Sequence, residues 1–196
     1  MKRLALAITA LALAALAGCV APVGPVQVTR FHAADVSPLG KGTIAVEPAP
    51  GSDARSLEWQ TYSAAVMRQL ILLGYTEAGP GSGRQVAYVK LSRRVIEPAR
   101  SSPVSVGVGG STGSYGSGVG LGVGINLSPK PGTQIATDLA VWIKDRASAQ
   151  TLWEGRATFA VSSKSPLAAT ALGAPKLSEA LFQGFPGQSG ATIEVK

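Results

Sequence analysis

Residues 133–161, TQIATDLAVWIKDRASAQTLWEGRATFAV, decide the fold. Ile135, Leu139, Val141 and Ile143 recur at even spacing, with Asp138 and Lys144 on the other parity. Successive side chains of a strand point to opposite faces, so this pattern predicts a strand with one buried face over Gly132–Lys144. Asp145–Gln150 is polar and reads as a turn. Over Thr151–Val161 the apolar residues Trp153, Ala157, Phe159 and Val161 alternate again. Two alternating runs joined by a polar turn form an antiparallel hairpin.

Outward from this hairpin the other elements follow. Gln85–Glu97 is a strand of mixed alternation, limited by Pro98. Residues 104–125 form a glycine-rich hairpin with apolar residues on one face only. Val104, Val106 and Val108 make one arm, and Val119, Leu121, Val123 and Ile125 the other, around a polar tip. So much glycine makes both arms weak strands. Asp53–Leu73 is the best helix. Tyr62, Val66, Leu70 and Leu73 share a face, Asp53 or Ser56 caps the start, and Gly74 supplies a left-handed stop. Val26–Phe31 and Gly42–Glu47 are short strands, the second ended by Pro48, Pro50 and Gly51. Leu167–Phe182 is helical, interrupted by Gly173 and Pro175 and stopped by Gly184 and Pro186. Ala191–Val195 is a last strand or unstructured. The order predicts an α+β fold, an antiparallel β-sheet with two helices packed on one face.

The N-terminus carries a different message. Lys2 and Arg3 precede an apolar run from Leu4 to Leu16, too short to span a bilayer comfortably. Residues 1–18 read as a secretory signal peptide. Leu16-Ala17-Gly18-Cys19 resembles the lipobox of bacterial lipoproteins, and Cys19 is the only cysteine of the chain. The resemblance implies that the Cys19 thiol receives a diacylglyceryl group, that a peptidase then cuts before it, and that the new amine is acylated. Ala15-Leu16-Ala17 also suits an ordinary signal peptidase, which would leave Cys19 as a free exported thiol. Such a thiol is a liability in an oxidising compartment, whereas a lipid gives the lone cysteine a purpose. Residues 19–25, with Pro22 and Pro25, make a short tether, and 26–196 a single domain. Val20 after the acylated cysteine lacks the aspartate that retains lipoproteins in the inner membrane, which implies the outer membrane, on its periplasmic face.

The formal net charge is +7, and two of those charges leave with Lys2 and Arg3. The remainder is mildly basic, and export removes nucleic acid as a partner. A basic domain at a membrane suits anionic lipid, glycan or another envelope component. The cluster Arg84, Lys90, Arg93, Arg94 and Arg100, with Glu97 as its only local counter-charge, is either such a contact or a solvated strand face.

The mature chain resembles the bacterial lipoproteins grouped as domain of unknown function 4136. The resemblance rests on Leu73-Gly74-Tyr75 after the first helix and on Leu152-Trp153-Glu154-Gly155 with Ala157. Gly184-Phe185-Pro186 after the last helix and the glycine-rich insertion add to it. Ala87-Tyr88 departs from the Ala-Asp pair common in that family. The resemblance implies an envelope lipoprotein with an α+β domain and no known activity.

No catalytic, metal or cofactor site emerges. The glycines never space as Gly-x-Gly-x-x-Gly, and no Gly-Lys-Ser/Thr follows them. His32 is the only histidine, without a ligand cluster or a Gly-x-Ser-x-Gly elbow. Trp59, Trp142 and Trp153 read as core or sheet-face residues. The expected function is a lipid-anchored, non-enzymatic envelope protein, attached through acylated Cys19 and acting in binding or assembly. The rival is a membrane-displayed hydrolase or glycan-processing enzyme, whose carboxylates Glu58, Glu97, Asp138 and Glu154 would have to converge.

Overall fold

The structure, a computed structural model, describes residues 24–98, 104–113, 116–125 and 132–196. The signal peptide, Cys19 and Arg100 lie outside them. The elements run β1 (Val26–His32), β2 (Thr43–Pro48), α1 (Leu57–Leu72), β3 (Thr76–Glu77), β4 (Gln85–Ile96), β5 (Val104–Gly113) and β6 (Gly116–Ile125). They continue with β7 (Gln134–Asp145), β8 (Thr151–Ser162), α2 (Thr170–Phe182) and β9 (Thr192–Val195). Seven strands make one sheet in the order β3-β2-β4-β7-β8-β1-β9, and β5 and β6 pair with each other in a second.

The 133–161 hairpin is the centre of the sheet, as β7 and β8. The expectation of an antiparallel sheet needs correction, because the sheet is mixed. β2 runs parallel to both β4 and β3, while β4, β7, β8, β1 and β9 alternate in direction. The reason is connectivity. α1 carries the chain from one end of β2 back over the sheet, so β4 starts in the same sense, the geometry of a crossover. Alternation reports which face a residue occupies and says nothing about strand direction.

The helices differ in detail from their sequence patterns. Ser56, not Asp53, caps α1, its Oγ accepting from the Trp59 amide at 3.4 Å. Asp53 instead accepts from the Arg55 amide in the preceding turn. Gly74, at φ +102°, ends the helix as expected. The C-terminal region is a 3-10 turn, Pro166–Ala168, followed by an unbroken α2 that contains Pro175. Pro175 removes the amide that would meet the Ala171 carbonyl, and Ala171 is exposed, so that carbonyl stays open to solvent and the missing bond is tolerated. Gly173 is a contact rather than a breaker. A Cβ there would lie 2.8 Å from the Leu167 carbonyl oxygen and 3.3 Å from the Tyr62 hydroxyl. Its absence lets α2 close onto α1.

Both helices cover the same face of the sheet. Tyr62, Val66 and Leu70 of α1 and Leu177 and Leu181 of α2 are buried in one cluster with Val28, Ile44, Val89, Leu139, Val141, Ile143, Trp153 and Phe159. The tail is ordered as β9, pairing with β1 through Val26 opposite Val195.

Candidate functional site

Among the described residues no helix covers the other face of the sheet. Register there brings four residues into one row across four strands. Tyr88 of β4 lies opposite Trp142 of β7, Trp142 opposite Glu154 of β8, and Glu154 opposite Phe31 of β1. Neighbouring strands stand about 4.8 Å apart, so the row is about 14 Å long. Phe31 is 48% exposed, a large ring left in water, and Tyr88 and Trp142 are half-buried. The next row is Lys90, Ala140, Arg156 and Thr29.

Two hollows flank Trp142. The larger, about 620 Å³, lies between Tyr88, Lys90, Trp142, Lys144 and Glu154 under the Pro48–Pro50 rim. The smaller, about 240 Å³, opens over Ala140 between Phe31, Trp142, Glu154 and Arg156. Ala140 makes it, because a methyl group stands between longer neighbours. Among the described residues Lys90, Lys144, Arg156 and Glu154 enter no salt bridge; the four present are Arg55–Asp53, Arg93–Glu58, Arg94–Asp138 and Arg146–Glu47. Around the aromatic row the face thus presents rings for stacking, three cations and one carboxylate that enter no salt bridge among the described residues. Such groups can stack on flat groups and attract anionic ones.

The basic cluster expected from sequence does not form one patch. β4 alternates, so Arg93 faces the helices and Arg94 the open side. The Arg93 guanidinium bonds Glu58, donates to Thr170 Oγ1 at 3.2 Å and to the Ala168 carbonyl at 2.6 Å. Arg94 meets Asp138 at 2.8 Å. Their counter-charges come from α1 and β7, distant in sequence. Arg84 is exposed, and Lys90 alone joins the aromatic row.

The carboxylates are held apart. Glu58 sits on the helical side, bound by Arg93, and accepts from Thr170 Oγ1 at 3.0 Å. Asp138 and Glu154 share the open face but stand four strand positions apart, about 13 Å, beyond the spacing of a glycosidase pair. Glu97 follows the end of β4, exposed. Among the described residues no three His, Cys, Asp or Glu gather to hold a metal. His32 ends β1, its Nδ1 2.8 Å from the Ala33 carbonyl oxygen.

Trp153 and Trp142 divide as strand parity dictates, and Trp59 lies on α1. Trp153 is fully buried and donates from Nε1 to the Pro186 carbonyl at 3.0 Å. Trp59 is half-buried and donates to the Val89 carbonyl at 3.1 Å. Trp142 belongs to the open face. Its signal was present in the sequence, since it falls out of phase with Val141 and Ile143, as Tyr88 does with Ala87 and Val89. Sequence reasoning missed the row because only register aligns residues from four strands.

Buried polar groups on the other face are structural. Arg30 is 4% exposed and donates to the Leu181 and Ala180 carbonyls at 2.9 and 3.0 Å, satisfying the last turn of α2. Burial pulls its pKa below the usual guanidinium value. Burial likewise raises the Tyr62 hydroxyl. At the rim, burial pushes the Glu47 carboxyl up, but the Arg146 hydrogen bond, the Gly81 amide and the Arg146 charge outweigh it and hold its pKa down.

No protein-family model matches this sequence, and no curated protein matches it. Solved structures do. A PDZ domain protein from Parabacteroides distasonis aligns at 10% identity with a TM-score of 0.51, over 88% of this chain and 39% of that one. The chain therefore spans about two fifths of that protein's length, and the likeness is one of fold. PelC from Paraburkholderia phytofirmans, a dodecamer, aligns at 11% identity with a TM-score of 0.45, over 84% of this chain and 99% of that one. A single-residue variant of PelC aligns at 12% identity and a TM-score of 0.41.

Proposed function

We propose that this chain is a lipid-anchored, non-enzymatic envelope protein, held on the periplasmic side of the outer membrane through acylated Cys19. On this reading the open face of its sheet binds an anionic glycan or another envelope component. The resemblance to the domain of unknown function 4136 lipoproteins belongs to the same reading. The observation that carries the binding role is the row Tyr88, Trp142, Glu154 and Phe31 with Lys90, Lys144 and Arg156 around it. Partly exposed rings beside cations that enter no salt bridge among the described residues gain stability by burial on a partner. The separation of the carboxylates supports the non-enzymatic side. The lipobox supports the anchor.

The test is purification of the full-length protein from bacterial envelopes, wild type beside Trp142→Ala. The intact mass is expected to equal a chain starting at Cys19 plus diacylglycerol and an acyl group. A glycan or protein that co-purifies with the wild type is expected to be depleted about tenfold or more from Trp142→Ala, the loss of a central aromatic contact. An unmodified chain beginning at Gly18 would sink the anchor, and equal co-purification would sink the binding face.

A further inference from the structure

The β5–β6 pair is the part of the fold that the main sheet does not absorb. Its register sets Val104 opposite Ile125, Val106 opposite Val123 and Val108 opposite Leu121. Opposed residues of an antiparallel pair share a face, so these six occupy one face of the ribbon, and Val119, opposite Gly110, extends it. The alternate positions, from Ser105 opposite Gly124 to Gly113 opposite Gly116, are all glycine or serine. The tip pair on the apolar side is polar, Thr112 opposite Ser117. No charged residue occurs from Ser101 to Pro129, although 15% of the chain is charged, and Arg100 and Lys130 bracket the stretch.

Length agrees with this chemistry. Strands of 10 residues are about 34 Å long. Tilted by about 45° they rise about 24 Å, close to the roughly 25 Å apolar band of outer-membrane barrels. In water a two-stranded ribbon is marginal, and one with a bare glycine face has little to bury. In hydrocarbon the apolar face is at home. The ribbon's two outer edges are not, because each unpaired amide or carbonyl there costs several kcal/mol. Edge-to-edge pairing between copies removes every edge once the ring closes.

We propose that β5–β6 ribbons from several copies of this chain join edge to edge into a closed transmembrane β-barrel. The valine, leucine and isoleucine positions meet acyl chains, and the glycine and serine positions line a water-filled lumen. The ribbon is carried by the central strands, since residues 97–103 and 126–133 connect it to the Ile96–Gln134 end of the β4–β7 pair. A lumen without charged positions discriminates weakly between cations and anions. The inference rests on the ribbon and holds whether or not Cys19 carries lipid.

The test uses the full chain with one added cysteine, Ser105→Cys, Val106→Cys, Gly107→Cys or Val108→Cys, labelled with a polarity-sensitive fluorophore. The wild type, with Cys19 alone, is the control; label uptake there reports a free Cys19 thiol and bears on the anchor, not on the ribbon. Liposomes of phosphatidylethanolamine and phosphatidylglycerol are added, with and without brominated acyl chains. Labels at 106 and 108 are expected to shift to apolar emission and to be quenched by brominated lipid, while labels at 105 and 107 stay aqueous. In planar bilayers of the same lipids, conductance is expected in discrete steps. Leu121→Lys, with an unchanged Tm, should reduce step frequency at least about thirtyfold, from the cost of a lysine facing lipid. Gly120→Ser, on the lumen side, should leave it unchanged. Identical emission at all four positions, apolar emission at 106 and 108 before lipid is added, or insertion without conductance would each overturn the inference.

Discussion

Trp153 and Gly155 show how one glycine shapes a core. The two sit on the same face of β8, and the indole lies across the bare Cα of Gly155. A Cβ at 155 would collide with the Trp153 ring and approach Leu181 Cδ1 to 2.9 Å. The ring is then sandwiched, stacked on Phe182 at 5.3 Å and 18° and tilted against Phe185 at 5.3 Å. Gly155→Ala therefore forces the indole off its seat, and thermal unfolding should show a loss of about 1–3 kcal/mol, the usual cost of overpacking. A Tm equal to that of the wild type would show that the ring is not fixed. The Trp-Glu-Gly-x-Ala element was legible in the sequence as a motif. Its physical content was not, because nothing in the string says that the glycine exists for the ring two residues earlier.

At the scale of elements, the two hairpins contrast. β7 and β8 put Leu139, Val141, Ile143, Trp153 and Phe159 into the main cluster, whereas among the described residues β5 and β6 form a separate two-stranded sheet. Glycine within a strand costs about 0.5–1 kcal/mol relative to alanine, and the 104–125 ribbon carries many. Replacing Gly109–Gly118 by a short turn should leave the domain's Tm within a few degrees. Trp153→Ala should lower its stability by about 3–5 kcal/mol. Calorimetry that shows the reverse order would make the glycine ribbon structural. Strands and helices were legible here from periodicity alone, to within a few residues at most ends. What escaped was long-range. The parallel pairing of β2 depends on α1 passing over the sheet, and the two-residue β3 exists only because β2 has an edge to offer. Gly173 and Pro175 looked like a break, yet Gly173 is a packing contact and Pro175 stands inside a continuous helix, since tertiary burial of Leu177 and Leu181 outweighs local propensity.

For the whole molecule, one face of the sheet packs the core under both helices, and among the described residues no helix covers the other. The site was half legible. The aromatic and basic residues were visible, but their gathering into a row needed the strand order, and the basic cluster dissolved once Glu58 and Asp138 arrived from elsewhere. The outer-membrane placement we propose rests on Val20 in place of an inner-membrane retention aspartate, and it can be tested. Sucrose-gradient fractionation should put the full-length protein with outer-membrane markers, and Val20→Asp should move it to the inner membrane. Wild-type protein found mainly in the inner-membrane fractions would refute this placement.

The pairing of β9 on β1 has a consequence for the chain as a path. Val26 and Val195 face each other across one strand spacing, so the first and last strands of the sheet begin and end side by side. A few residues suffice to join them, and the path can be reopened between β5 and β6 without cutting any strand of the main sheet. A circular permutant built this way keeps every pairing of the seven-stranded sheet, and it would release the two arms of the ribbon from each other while leaving the domain closed.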